Sequence, residues 1–319
     1  MLKKFMAKLG VGASKVDLVL NKQHYELGEE IEGVFRIQGG SVEQQINRIT
    51  ADLLVTIRVR DRVISHPVTS IPVSSSFVIR PEEQKELPLR FTLPLNMPIS
   101  RTGVTYHFAT RLDIAGGVDG SDRDPVQICP PERFNSIIRA LDLLGFQEKH
   151  DSGKFNGYSQ EFEFYPTGAF KGQVQEVEFE AAIEADGIRL LLEVDMYQFF
   201  GFGEKELRQE IFLSNEQLAD ARALSHHLEA VIQEMLQNPH AYPASRYRTH
   251  GHAMPGRGHR GSGLGGAMGG FVAGMVGGMV IGALMEEGME ALAGGEESAD
   301  GGLFDGFDDF GGFDGGDDF

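Results

Sequence analysis

The chain has 319 residues, with 29 Lys+Arg against 47 Asp+Glu and a formal net charge of −18. At about 150 residues per domain this length allows two domains, and the acidic balance argues against sequence-independent nucleic-acid binding, which needs a basic face. The one cysteine, Cys129, excludes an intramolecular disulfide framework and a Cys-rich zinc site. The N-terminal segment carries lysines but no long apolar run before its small residues, so no secretory signal is read and the expected compartment is the cytoplasm.

Charge is distributed in blocks. Residues 1–240 hold 25 basic and 35 acidic side chains, residues 241–285 hold four arginines and no acid, and residues 286–319 hold twelve acids and no base. Such steps mark a folded body, a basic linker running into an apolar Gly-rich stretch, and an acidic tail.

Alternation with period two predicts strands over Lys15–Leu20, Ile31–Ile37, Ile49–Val59, Leu87–Leu93 and Thr105–Ile114, with a turn at Gly28. Prolines at 67, 72, 81, 88, 94 and 98 suit edges and connections of an antiparallel sandwich and fit a parallel core poorly. After Pro130-Pro131, the spacing of Phe134, Ile137, Ile138, Leu141 and Leu144 predicts one amphipathic helix ended by Gly145. Strands resume at Gln160–Tyr165, Val174–Ala182 and Gly187–Val194. A second helix is predicted from Asn215 to about Gln237, capped by Ser214 or Asn215, with Leu218, Ala221, Leu224, Leu228, Val231, Ile232 and Met235 as its apolar stripe.

Tyr25-Glu26-Leu27-Gly28-Glu29-Glu30-Ile31-Glu32-Gly33 resembles the opening of arrestin-like N-domains, and Phe91–Pro94 through Pro98–Ser100 and Val104–Tyr106 resemble a later strand pair of that fold. The helix from Pro131-Glu132 to Phe146 and the segment Glu161–Pro166 resemble the bacterial sporulation-control protein family, an arrestin-like branch; the likeness covers roughly residues 1–235. It implies a mainly β chain of two tandem arrestin-like β-sandwich domains, with a C-terminal helix and a Gly-rich, acidic low-complexity tail. It implies a regulatory protein that binds protein partners through its cupped body, and no enzyme.

The expected divisions are 1–129 and 130–213 for the two sandwiches, 214–238 for the helix, 239–263 for a His/Arg/Gly linker, 264–290 for an apolar glycine zipper and 291–319 for the acidic Phe/Asp/Gly tail. No HExxH, GxSxG, Walker A or dinucleotide fingerprint occurs in the body, so no catalytic residue, cofactor or metal is assigned. His226-His227 are adjacent and point in different directions on a helix, His107 reads as a packing or surface residue, and Cys129 has no local motif. His240, His250, His252 and His259 lie in the linker, where a nickel or zinc site competes with a solvated cationic stretch.

Residues 264–285 form an uncharged run of 22 residues with Gly266, Gly270, Gly274, Gly278 and Gly282 at a strict period of four. As a helix it would be about 33 Å long, close to a bilayer core, and its glycine stripe would let two backbones approach. Each glycine also lowers helix propensity by about 1 kcal/mol relative to Ala, so membrane contact, self-association and disorder stay open. In the tail, Phe304, Phe307, Phe310 and Phe313 recur among Asp and Gly as candidate docking aromatics. The basic strand end Arg58, Arg60 and Arg62 is the candidate surface for a partner or for this tail. The alternatives to an adaptor are a membrane-associated structural protein assembled by its zipper and a metal binder using the His linker.

Overall fold

The computed structural model describes residues 12–59, 62–156, 159–197 and 204–244. Among the described residues the N-terminal half contains nine strands: β1 (Lys15–Leu20), β2 (His24–Glu26), β3 (Glu30–Gln38), β4 (Gln44–Val59), β5 (Arg62–Ser74), β6 (Phe77–Ile79), β7 (Gln84–Thr92), β8 (Val104–Ile114) and β9 (Gly120–Cys129). They make a three-stranded sheet, β1-β3-β7, and a six-stranded sheet, β2-β9-β8-β4-β5 with β6 on β4. Leu18, Phe35 and Leu89 from the first sheet and Leu53, Val55, Phe108 and Ile128 from the second are buried in one core. That is how the inward faces of two mainly antiparallel sheets close a sandwich, β2 alone running parallel to its neighbour β9.

Three of the prolines sit where their missing N–H does least harm. Pro67 and Pro72 lie in β5 and Pro88 lies in β7, each the terminal strand of its sheet. Gly28 takes the left-handed conformation, φ 84°, that the turn between β2 and β3 requires.

The C-terminal half starts with α1 (Glu132–Leu143), continues through β10 (Phe146–Glu148), β11 (Lys154–Phe155), β12 (Gln160–Pro166), β13 (Val174–Ile183), β14 (Gly187–Tyr197) and β15 (Glu204–Ser214), and ends in α2 (Asn215–Leu218) and α3 (Ala221–Gln237). The strands form one antiparallel sheet, β10-β12-β13-β14-β15, with β11 on β12. Phe134 of α1 lies edge-on to Phe162, ring centroids 5.0 Å apart, and tilts over Phe179 at 5.9 Å; Phe162, Phe164 and Phe179 stack across the strands. Leu224, Leu228, Ile232 and Met235 of α3 join the same core. The mainly β class with a C-terminal helix therefore matches the expectation. One particular is added: among the described residues, helices cover the inner face of the C-terminal sheet.

The single helix expected from Asn215 to Gln237 is two. Ser214 caps the first, its hydroxyl accepting from Gln217 N while the Gln217 side chain reaches back to Ser214 N. The chain then turns out of helix at Asp220, whose carboxylate accepts from the N–H groups of Arg222 and Ala223 and starts α3 afresh. A capping side chain inside a helical pattern competes with the helix it interrupts.

Candidate functional site

The outer face of the C-terminal sheet is built by strand alternation. In Glu161-Phe162-Glu163-Phe164 and Val177-Glu178-Phe179-Glu180 every second residue is buried in the core. The residues between them point the other way. The register then sets carboxylates beside carboxylates. Glu163 faces Glu178, Glu178 faces Glu193 and Glu193 faces Arg208; Glu161 faces Glu180; Glu176 faces Asp195, which faces Glu206.

Three cations answer part of this charge. Arg208 Nε donates to Glu193 Oε2 at 2.7 Å, and Arg189 reaches Glu184 at 2.9 Å and Glu210 at 3.0 Å. Lys149 pairs with Glu163 at 3.2 Å and with Glu176. One oxygen of Glu161, Glu178 and Glu193 lies within 4.8 Å of the others, and the same holds for Glu163, Glu176 and Glu178. Glu178 belongs to both groups. Glu180 Oε2 is buried without a hydrogen-bond partner.

Crowded, part-buried carboxylates hold their protons. Burial pushes Glu178 up to about 9, with Glu161, Glu176, Glu193 and Glu163 adding repulsion. Burial lifts Glu180 to about 7 and Glu193 to about 7, the latter against the hydrogen bond from Arg208. Burial also raises Glu161, opposed first by its hydrogen bond with Glu178. Near neutral pH this face can share and exchange protons. Its oxygen donors would suit a hard cation, but Lys149 and Arg208 already sit on Glu163, Glu176 and Glu193. Tyr165, Tyr197 and Phe212, all exposed, follow the same alternation onto this face, where Arg189 lies over Phe212 at 5.1 Å.

A smaller acidic group, Asp17, Asp122 and Asp124, lies on the N-terminal half, where Asp122 Oδ2 accepts from Leu18 N at 2.8 Å. Burial, then Asp122, lifts Asp124 to about 7.

The residues singled out from sequence fall elsewhere. Arg58 is exposed near the end of β4, its backbone N–H bonded to Gly103 O at 2.7 Å, and Arg62 opens β5 opposite Val59. Arg60, the glycines at 266, 270, 274, 278 and 282, the phenylalanines at 304, 307, 310 and 313, and the histidines at 250, 252 and 259 lie outside the described residues. His107 is buried, with Arg123 Nη2 3.4 Å from its Nδ1, and burial holds it below its usual value. Burial raises the Cys129 thiol, with Glu26 adding to the effect, which disfavours the reactive thiolate. Among the described residues no helix is long and apolar enough to cross a membrane. The carboxylate face escaped sequence reading, although Glu at every second position of 161–163 and 176–180 was its local signal.

Residues 2–198 match the model of the SpoOM protein family. The chain is 31% identical over 253 residues to the sporulation-control protein spo0M of Bacillus subtilis strain 168, covering 73% of this chain and 97% of the relative. It is also similar to the crystal structure of Spo0M, sporulation control protein, from Bacillus subtilis. There the TM-score is 0.59 at 30% identity, with 70% of this chain and 99% of that chain covered.

Proposed function

Because this chain belongs to the SpoOM protein family, we propose that it is a non-enzymatic regulatory adaptor of the sporulation-control type that binds protein partners through its folded body. The observation that carries the reading is the carboxylate face. A core-backed sheet holds acids in excess of its cations and is framed by exposed Tyr165, Tyr197 and Phe212. A cationic group brought against this face favours the ionised carboxylates and draws their protons off, so basic partners bind where no other group would, and the exposed rings add aromatic anchors. In this reading the segment 264–285 adds membrane contact or self-association, and the body works in the cytoplasm.

The test is affinity capture from the source cells with the full chain and with a Glu161→Gln, Glu178→Gln, Glu180→Gln variant. A reproducible partner set lost by the variant supports the reading; the same set on both denies the face its role. Fractionating the full chain and a 1–260 truncation into soluble and membrane pools tests the C-terminal segment. An anchor puts only the full chain in the membrane pool.

A further inference from the structure

His24 of β2 stands beside Gln127 of β9 in the sheet register, and Thr105 precedes Tyr106, which faces Val126. His24, Thr105 and Gln127 are exposed, while Tyr25, Tyr106, Val126 and Ile128 between and beyond them are buried. The three side chains therefore share the outer face of the six-stranded sheet. They line an open cleft of about 420 Å3, with Gln23, Ser100 and Arg101 completing its polar wall. Ser100 is fixed to the end of β9: its N donates to Ile128 O at 2.8 Å and its Oγ accepts from Ile128 N at 2.9 Å. The hydroxyl proton stays available for a ligand.

The cleft is unlike the rest of this acidic chain. Its lining includes Arg101 and His24 and no Asp or Glu; Glu26, next on the same face of β2, and Glu148 of β10 stand outside it. Arg101 is held by its stem. A Cβ added at Gly153 would lie 2.8 Å from Arg101 Cγ and 3.2 Å from its Nε, so the side chain packs on the glycine backbone, and Nε is buried there without a hydrogen-bond partner. Glu148 Oε1 lies 3.7 Å from Nη2, beyond hydrogen-bond distance. The guanidinium thus makes no hydrogen bond among the described residues, although its side chain is only 35% exposed. A part-buried cation without acceptors gains from oxygens brought in from solvent. With Nε sealed against Gly153, the terminal amino groups are the part presented, and their planar fork matches the two oxygens of a carboxylate. His24 carries a ring N–H in either charge state, and the carboxamides of Gln23 and Gln127 and the Thr105 hydroxyl both donate and accept. The volume falls in the range of small-molecule sites, about 300–1,000 Å3.

We propose that this cleft binds a small polar organic acid, its carboxylate on the Arg101 guanidinium and its other oxygens on His24, Thr105 and the two glutamines. Because Arg101 touches Gly153 and approaches Glu148, the ligand sits where the two halves of the chain meet. The site is separate from the carboxylate face and does not depend on the adaptor reading.

The test titrates citrate into the 2H,15N-labelled full chain at fixed ionic strength and follows the backbone amides by NMR. The expected result is a saturable shift confined to residues 23–24, 100–106 and 126–127. Arg101→Gln weakens binding about tenfold or more, and His24→Ala and Thr105→Val, both at exposed positions, weaken it several-fold with unchanged thermal unfolding. Inorganic phosphate, whose tetrahedral oxygens fit the planar fork less well, binds several-fold more weakly. If Arg101→Gln does not fold, the two exposed-site variants decide alone. No saturable shift in the cleft, undiminished affinity in the exposed-site variants, or phosphate binding as tight as citrate would each overturn the proposal.

Discussion

Gln160 and Ile99 pair as strand neighbours do, although one of the two partners is a side chain. The Gln160 carboxamide accepts from Ile99 N at 2.8 Å and donates to Ile99 O at 2.9 Å and to Gly153 O at 2.7 Å, with the glutamine fully buried. It ties the segment before β8 to the first residue of β12, and so fixes the N-terminal sheets against the sheet that bears the carboxylate face. Gln160→Leu fills the space but strands both backbone groups of Ile99. It is expected to cost about 2–4 kcal/mol, read by denaturant unfolding.

The crowded glutamates make stability fall as pH rises. Glu178, Glu180 and Glu193 titrate near 4.5 when unfolded and higher when folded, so the folded state binds more protons between those values. Their contribution is fully present below about 4.5 and is lost as pH rises through about 7 for Glu180 and Glu193 and about 9 for Glu178. Glu178→Gln removes the largest of these penalties. At pH 8 it should raise stability by about 1–2 kcal/mol after discounting for solvent screening, and the gain should vanish near pH 4.5. Thermal unfolding across that range checks it.

Gly145 follows α1 at φ 78°, where an added Cβ would lie 2.9 Å from Gly168 Cα and 3.0 Å from Gly168 N. Both obstacles are backbone, and Gly145 O also accepts from Thr167 N and Gly168 N. Gly145→Ala is expected to cost about 1–3 kcal/mol, measured by chemical denaturation, because neither the turn nor its neighbour can yield cheaply.

Asp220 separates α2 from α3 by capping two N–H groups at once. Asp220→Ala should cost about 1 kcal/mol. It should also raise hydrogen exchange in the first turn of α3 while leaving its core-facing end protected.

Much of the architecture was readable because burial is periodic. Phe162, Phe164, Val177 and Phe179 announce their strands, and Leu224, Leu228, Ile232 and Met235 announce a helix face. β5 is hard to see in the sequence, since Pro67 and Pro72 interrupt its pattern at a sheet edge. β15 is hidden too: Leu207, Ile211 and Leu213 alternate inward, but five charged residues dilute the signal. The carboxylate face is a non-local object. Glu163, Glu178 and Glu193 stand fifteen residues apart along the chain and meet only through the register of three strands. The break at Asp220 was hidden because one residue must be weighed as cap against helix continuation, and the apolar stripe runs through both pieces.

Titration calorimetry of a captured partner bears most directly on the adaptor reading, with the full chain compared against its Glu161→Gln, Glu178→Gln, Glu180→Gln variant. Affinity at least about tenfold weaker for the variant, with the full-chain affinity falling as salt is raised, is the predicted result. Equal affinity for the two chains, unchanged by salt, would contradict it.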